Sequence, residues 1–215
     1  MGLGAVMIAF AAGLLAYNAW DENRANAEAA VLMPGLLAQI DAAGTGPSGT
    51  KESEQAVIDT DLNTSELPAD PYSQIEKLLA NDELDTVEID GTSYIGYLSI
   101  PGLDLELPVI SEWSYPNLKI SPARYRESNQ THGLIIAGHN YSRHFGKLNI
   151  LSVGDPILFT DIHGTTYHFK VSLIQVLAPD DVEGMLSGDW DLTMFTCTYG
   201  GASRVTVRCV YDEAI

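Results

Sequence analysis

Cysteine is scarce: the chain of 215 residues carries only Cys197 and Cys209. Two thiols exclude a small module stapled by disulfides, so the fold must hold itself together by packing. They form no C-x-x-C pair, and the five histidines lack zinc-like spacing. His139 and His144 lie off the i, i+4 face that helical ligands use. The chemistry is therefore expected to use no metal and no cofactor. Positive charge is scarce too, with 11 Lys and Arg against 29 Asp and Glu, a formal net charge of −18. A surface this negative repels phosphate backbones, which excludes nucleic-acid binding.

Within the first 20 residues, charge is missing altogether. A helix of that length spans about 30 Å, the hydrocarbon thickness of a bilayer. Tyr17 and Trp20 suit the membrane interface. Residues 1–20 are thus expected to be a transmembrane anchor. The competing reading is a signal peptide cleaved near Ala25-Asn26-Ala27, but its apolar core is usually only about 7–15 residues. Residues 21–43 read as an Ala-rich juxtamembrane helix, broken or kinked at Pro34-Gly35. Residues 44–74 mix Gly, Pro, Ser, Thr and acids, and read as a disordered acidic linker. Of the 29 acids, 16 lie in residues 1–90 beside only 3 bases, so the acidity belongs mainly to this tether.

A domain over 75–215 completes the chain, opening with a helical turn or two over 75–80. From Val87 the pattern is short strands between turn residues. Asp90-Gly91 is a hairpin signal between Val87–Ile89 and Tyr94–Ile100. Leu103, Leu105 and Leu107 alternate with acids, as in a half-buried strand. Gly133–Ala137 is a continuous apolar run ending at Gly138-His139. Asp155–Phe159 and a strand from Thr166 towards Val176 flank His163-Gly164. Trp190–Thr196 and Arg204–Val210 close the set. About eight such strands make the domain mainly β, a closed barrel or a sandwich.

Three residues bear chemistry. Cys197 ends a strand and faces the loop containing Gly200 and Gly201, although a single cysteine is also a common small core residue. His139 ends another strand. Imidazole is the natural acid or base near pH 7, and a Cys–His pair can make thiolate and imidazolium together. If the last two strands pair across loop 198–203, Arg204 falls nearly opposite Cys197. A guanidinium there can hold a carbonyl oxygen as charge develops; solvated Arg and His are the plain alternatives. Arg204, Thr206 and Arg208 share one strand face, while Cys209 lies on the other, about 16 Å along from Arg204. That distance precludes a Cys197–Cys209 bridge and makes Cys209 a core residue. Asp180, Asp181 and Glu183 read as a solvated loop.

The segments LIIAGHNY (134–141), DLTMFTCTYGG (191–201) and SRVTVRC (203–209) resemble the histidine, cysteine and arginine strands of sortases. Sortases are cysteine transpeptidases of Gram-positive bacteria. YIGYLSIPGLDLELPV (94–109), FGKLNILSVGDPILF (145–159) and YHFKVSLIQVLAPDDV (167–182) extend the likeness over roughly 90–212. One departure is Met194-Phe195, where the family pattern has a leucine and a variable residue; methionine for leucine nearly preserves volume.

The resemblance implies an eight-stranded β-barrel with short helices behind an N-terminal anchor. By its analogy Cys197 is the nucleophile on the Thr–Gly bond of an LPXTG-like sorting signal, His139 the acid/base, and Arg204 the oxyanion and backbone holder. Arg208 is a more distant competitor for that last role. Thr196, Ala137 and Tyr199 are expected to line the substrate's path. Implied partners are secreted proteins with a C-terminal sorting signal, and an amine acceptor from a peptidoglycan precursor or a pilin lysine. The implied location is the cell membrane, single-pass, with the catalytic domain outside. Competing readings are a hydrolase of the same build, and a non-catalytic membrane-tethered barrel that binds without chemistry.

Overall fold

The computed structural model describes residues 2–44, 85–125 and 133–212. The expected linker over 44–74 and the helical turns over 75–80 lie outside the described residues, apart from Gly44 itself.

Among the described residues nine strands form one sheet: β1 (Val87–Ile89), β2 (Thr92–Ile100), β3 (Leu105–Ile110), β4 (Ala123–Arg124), β5 (Leu134–Gly138), β6 (Pro156–Asp161), β7 (Thr166–Leu177), β8 (Leu192–Cys197) and β9 (Arg204–Tyr211). Their spatial order is β1-β2-β3-β4-β5-β8-β9-β7-β6, and β6 pairs back onto β2. The eight strands β2–β9 thereby close a barrel, which removes most of the open edge a flat sheet presents, and the three-residue β1 pairs with β2 alone. Short helices α2 (Tyr115–Leu118) and α3 (Val182–Leu186) and two 3-10 turns occupy the connections.

Turn chemistry appears where the sequence signals it. Asp90 and Gly91 both take positive φ (50° and 77°), the primed-turn geometry that suits a two-residue hairpin. The strand expected from Leu103 begins instead at Leu105. Asp104 is left-handed, closing a 3-10 turn over Pro101–Leu103, and that conformation cannot continue a pleat. Gly96 sits at φ 143°, where a Cβ would fall on the Thr160 carbonyl oxygen. It marks the bulge at which β2 changes register between Tyr94 and Gly96, the kind of kink that lets a sheet curl shut.

Alternation sorts the side chains. Leu98, Ile100, Leu107, Ile136, Met194, Val207 and Cys209 point into the barrel and form one apolar core. A second cluster lies outside the wall, around Tyr94, Ile110, Leu118, Ala123 and Ala137. Leu36 and Ile40 of the N-terminal helix complete it.

That helix departs from expectation. α1 runs unbroken over Gly2–Gly44, through Pro34. Proline inside a helix costs about 3 kcal/mol, but Leu36 and Ile40, just beyond it, are buried to 0% and 6% exposure. Burying each contributes about 1.5–3 kcal/mol, which offsets the proline. Among the described residues no helix is long and apolar enough to cross a membrane, so the anchor expected over residues 1–20 does not appear as a separate span.

Candidate active site

The placement of the site follows from pairing. β5 and β8 are parallel neighbours, in register from Leu134↔Leu192 to Gly138↔Thr196. Parallel strands end at the same side of a sheet, so the next residue on each, His139 and Cys197, emerges at one rim. β8 and β9 are antiparallel, and Cys197 pairs directly with Arg204. Three residues distant along the chain thus end three adjoining strands. All three are partly exposed and line one cleft of about 250 Å³.

Because directly paired residues share a face, Cys197/Arg204, Phe195/Thr206 and Thr193/Arg208 form three rungs on the outer side of the barrel. The cleft has walls on both sides of this floor. One is aromatic: Trp113 packs on Tyr115 (centroids 5.2 Å) and edge-on to Tyr125 (6.0 Å), and Tyr125 meets Phe195 edge-on (5.3 Å). The other comes from the β7–β8 connection, with Ala178, Pro179, Asp181, Val182 and Met185.

His139 is set by its surroundings. Its ring stacks on Tyr141 at 4.7 Å, and its carbonyl accepts the Phe145 backbone N–H at 3.0 Å. Gly138, just before it, presses on the buried Phe145 ring so closely that no Cβ fits. The guanidinium of Arg204 donates from one nitrogen to the Gly201 and Ser203 carbonyls, 3.2 Å each. The 198–203 loop is itself closed by Thr198, whose N–H donates to the Ser203 carbonyl at 2.9 Å and whose hydroxyl accepts the Ser203 N–H at 3.0 Å.

Of the expected substrate-lining residues, Ala137 (2% exposed) and Thr196 (3%) border the cleft. The Thr196 hydroxyl has no hydrogen-bond partner among the described residues. Tyr199 is 90% exposed and takes no part in the lining. Arg208 does not reach the cleft. It is 1% exposed and turned into the β7–β8 connection, so it is no competitor to Arg204. Cys209 packs in the barrel core, and burial, with a smaller push from Asp191, raises its thiol to about 12. It is inert at neutral pH, and both cysteines are free.

The aromatic wall was not read from the sequence. Phe195 was available from alternation, since it shares the face of Cys197. Trp113 and Tyr125 arrive through loop packing, which no local pattern encodes.

Comparison with known proteins agrees with this geometry. The family model "Sortase domain" matches residues 98–212. Sortase A of Bacillus anthracis is 32% identical over 154 residues, covering 68% of this chain and 71% of that protein. The crystal structure of sortase C1 from Streptococcus agalactiae shares 30% identity and a TM-score of 0.53, covering 60% of this chain and 72% of that one. Sortase C from Clostridium perfringens, solved with the C-terminal cell wall sorting motif, is 22% identical with a TM-score of 0.52, covering 66% and 85%; at that identity it attests the fold alone. A thiol, an imidazole and a guanidinium at one barrel rim, with a domain match over more than half its length, mean that this chain belongs to the sortase family of cysteine transpeptidases.

Proposed function

We propose that the cleft binds an LPXTG-like sorting signal and that Cys197, His139 and Arg204 carry out its transfer to an amine. The supporting observation is the shared cleft: all three side chains line it. The Cys197 thiol gives its proton to His139 as its sulfur attacks the threonine carbonyl carbon, forming a C–S bond. His139 protonates the departing glycine nitrogen as the peptide C–N bond breaks. The acceptor amine then attacks the thioester, a new C–N bond forms, His139 takes the amine's proton, and the sulfur leaves. Arg204 steadies the oxygen that becomes negative in both steps. To do so it exchanges its loop carbonyls for substrate, so its strongest contacts arise as charge develops. The Thr196 hydroxyl orients the peptide.

The anchor is part of the same proposal. Residues 1–20 carry no charge, and Val6, Met7, Ile8, Phe10, Leu14 and Leu15 are exposed around α1. A helix apolar on all sides suits lipid. Tethered there, with the barrel outside the cell, the enzyme meets secreted substrates and membrane-held acceptors at raised effective concentration, which favours aminolysis over hydrolysis.

Mass spectrometry of the purified chain with LPXTG peptides and a panel of amines, including a stem-peptide mimic and a pilin-type lysine peptide, tests this. The expected result is an acyl adduct on Cys197 that chases to an amide, with no transfer by Cys197→Ala. Transfer surviving in Cys197→Ala refutes the mechanism. Release with water in place of every amine would make the chain a hydrolase.

A further inference from the structure

Arg208 is a cation in the wrong place for the reaction. It pairs with Thr193, two rungs below Cys197/Arg204, about 13 Å along β9 from Arg204. It is among the largest side chains buried to this degree, and among the described residues no carboxylate pairs with it. A buried guanidinium without an anion costs several kcal/mol unless its donors are satisfied. Burial accordingly lowers its pKa.

Neutral oxygens meet its two terminal nitrogens instead, while the buried Nε has no hydrogen-bond partner among the described residues. One terminal nitrogen donates to the Met185 carbonyl at 2.8 Å and to the Thr193 hydroxyl at 2.9 Å. The other donates to the Gly184 carbonyl. Both carbonyls belong to the last turn of α3, where main-chain oxygens have no partner inside the helix. At the other end of α3, the Asp181 carboxylate accepts the Gly184 N–H at 2.8 Å. A five-residue helix has no stability of its own, and Arg208 ties this one to the sheet alongside the buried Met185. The residues it holds matter, since Asp181, Val182 and Met185 line the cleft.

We infer that Arg208 is a positioning residue: it clamps α3 onto β8–β9 through main-chain carbonyls and thereby sets the shape of the β7–β8 wall against which the substrate peptide binds. The reacting groups stand on the sheet, independent of this wall. Loss of the clamp therefore weakens peptide binding and leaves the chemistry intact. The assignment rests on the cleft being the peptide site, so wild-type transfer of an LPXTG peptide is the first control.

The experiment compares wild type, Arg208→Gln, Arg208→Lys and Thr193→Val in the full chain. Measurements are KM and kcat for the LPXTG peptide, the pH profile of Cys197 alkylation by iodoacetamide, and hydrogen exchange over 178–191. Arg208→Gln should raise KM about tenfold with kcat within twofold, leave the alkylation profile in place, and speed exchange over 183–187 at least tenfold relative to β5 and β8. Arg208→Lys, which keeps the charge but not the fork, and Thr193→Val, which removes one acceptor, should fall between. An unchanged KM with unchanged exchange overturns the inference. So does a fall in kcat with a displaced alkylation profile, which would put Arg208 in the chemistry. If Arg208→Gln unfolds, a folded Arg208→Lys with wild-type KM and wild-type exchange overturns it equally. Should wild type transfer no peptide, the substrate reading fails, while exchange and alkylation still decide whether Arg208 holds the wall.

Discussion

Replacing Gly138 with alanine should cost both stability and rate, and the structure gives the size of each. A Cβ at that position falls 2.5 Å from Cδ2 and 2.7 Å from Cγ of Phe145, where carbon atoms normally rest about 3.5–4.0 Å apart. The overlap is therefore about 1 Å. Phe145 is fully buried in the barrel core and cannot swing aside, so either its ring shifts or the end of β5 does. Overpacking of this kind costs about 1–3 kcal/mol, a fall in Tm of roughly 3–15 °C for a domain of this size. The next residue is His139, tied to Phe145 by the 3.0 Å bond between its carbonyl and the Phe145 N–H. Under the proposed mechanism, moving His139 by about 1 Å can cost on the order of 10²-fold. Calorimetry and peptide-transfer rates should show both losses, and Gly138→Ala with Phe145→Leu should lose less than the sum of the two singles. The gap should be about 0.5–3 kcal/mol in stability. Wild-type Tm and wild-type rate in Gly138→Ala would refute the reasoning.

Three further outcomes are expected. Iodoacetamide at pH 8 should modify Cys197 in the folded protein and leave Cys209 untouched until denaturant is added; a native Cys209 adduct would contradict its place in the core. Its raised pKa also fixes a sign. Between its ordinary value of 9.0 and about 12 the unfolded chain loses the Cys209 proton while the folded chain keeps it, so stability falls with rising pH, by up to about 1.4 kcal/mol per unit. Cys209→Val should flatten that fall in a Tm-against-pH series, and an unchanged slope would reject the assignment. Leu36→Ala should lower the melting temperature of the barrel by the equivalent of about 2–4 kcal/mol, because Leu36 shares a cluster with Tyr94, Ile110 and Ala137. A curve superimposed on wild type would show that α1 contributes nothing to the domain.

Much of this was legible beforehand, for reasons that can be named. Period-two alternation over β8 and β9 put Cys197 and Arg204 opposite one another, and a continuous apolar run delivered β5 with His139 at its tip. These are local signals, and sheet register converts them into geometry. The parallel union of β5 with β8 joins segments more than fifty residues apart, and only family resemblance reached across that gap. α1 runs on past Pro34-Gly35, a breaker locally, and the burial that keeps it unbroken lies against another part of the chain. Arg208 was ranked behind Arg204 by distance alone, and its burial was not legible for a related reason. Alternation tells which face a residue takes but not how deeply that face is covered, and Val182–Leu186 lies over it. Tyr199 shows the converse: nearness in sequence to Cys197 did not bring it into the cleft.

Arg208 grips main-chain oxygen, and every amino acid supplies the same carbonyl. The wall that α3 forms can therefore change its side chains at Val182, Glu183 or Leu186 without loosening its mount. Under the proposed function, preference for one peptide over another can be altered in this wall while Cys197, His139 and Arg204 keep their places.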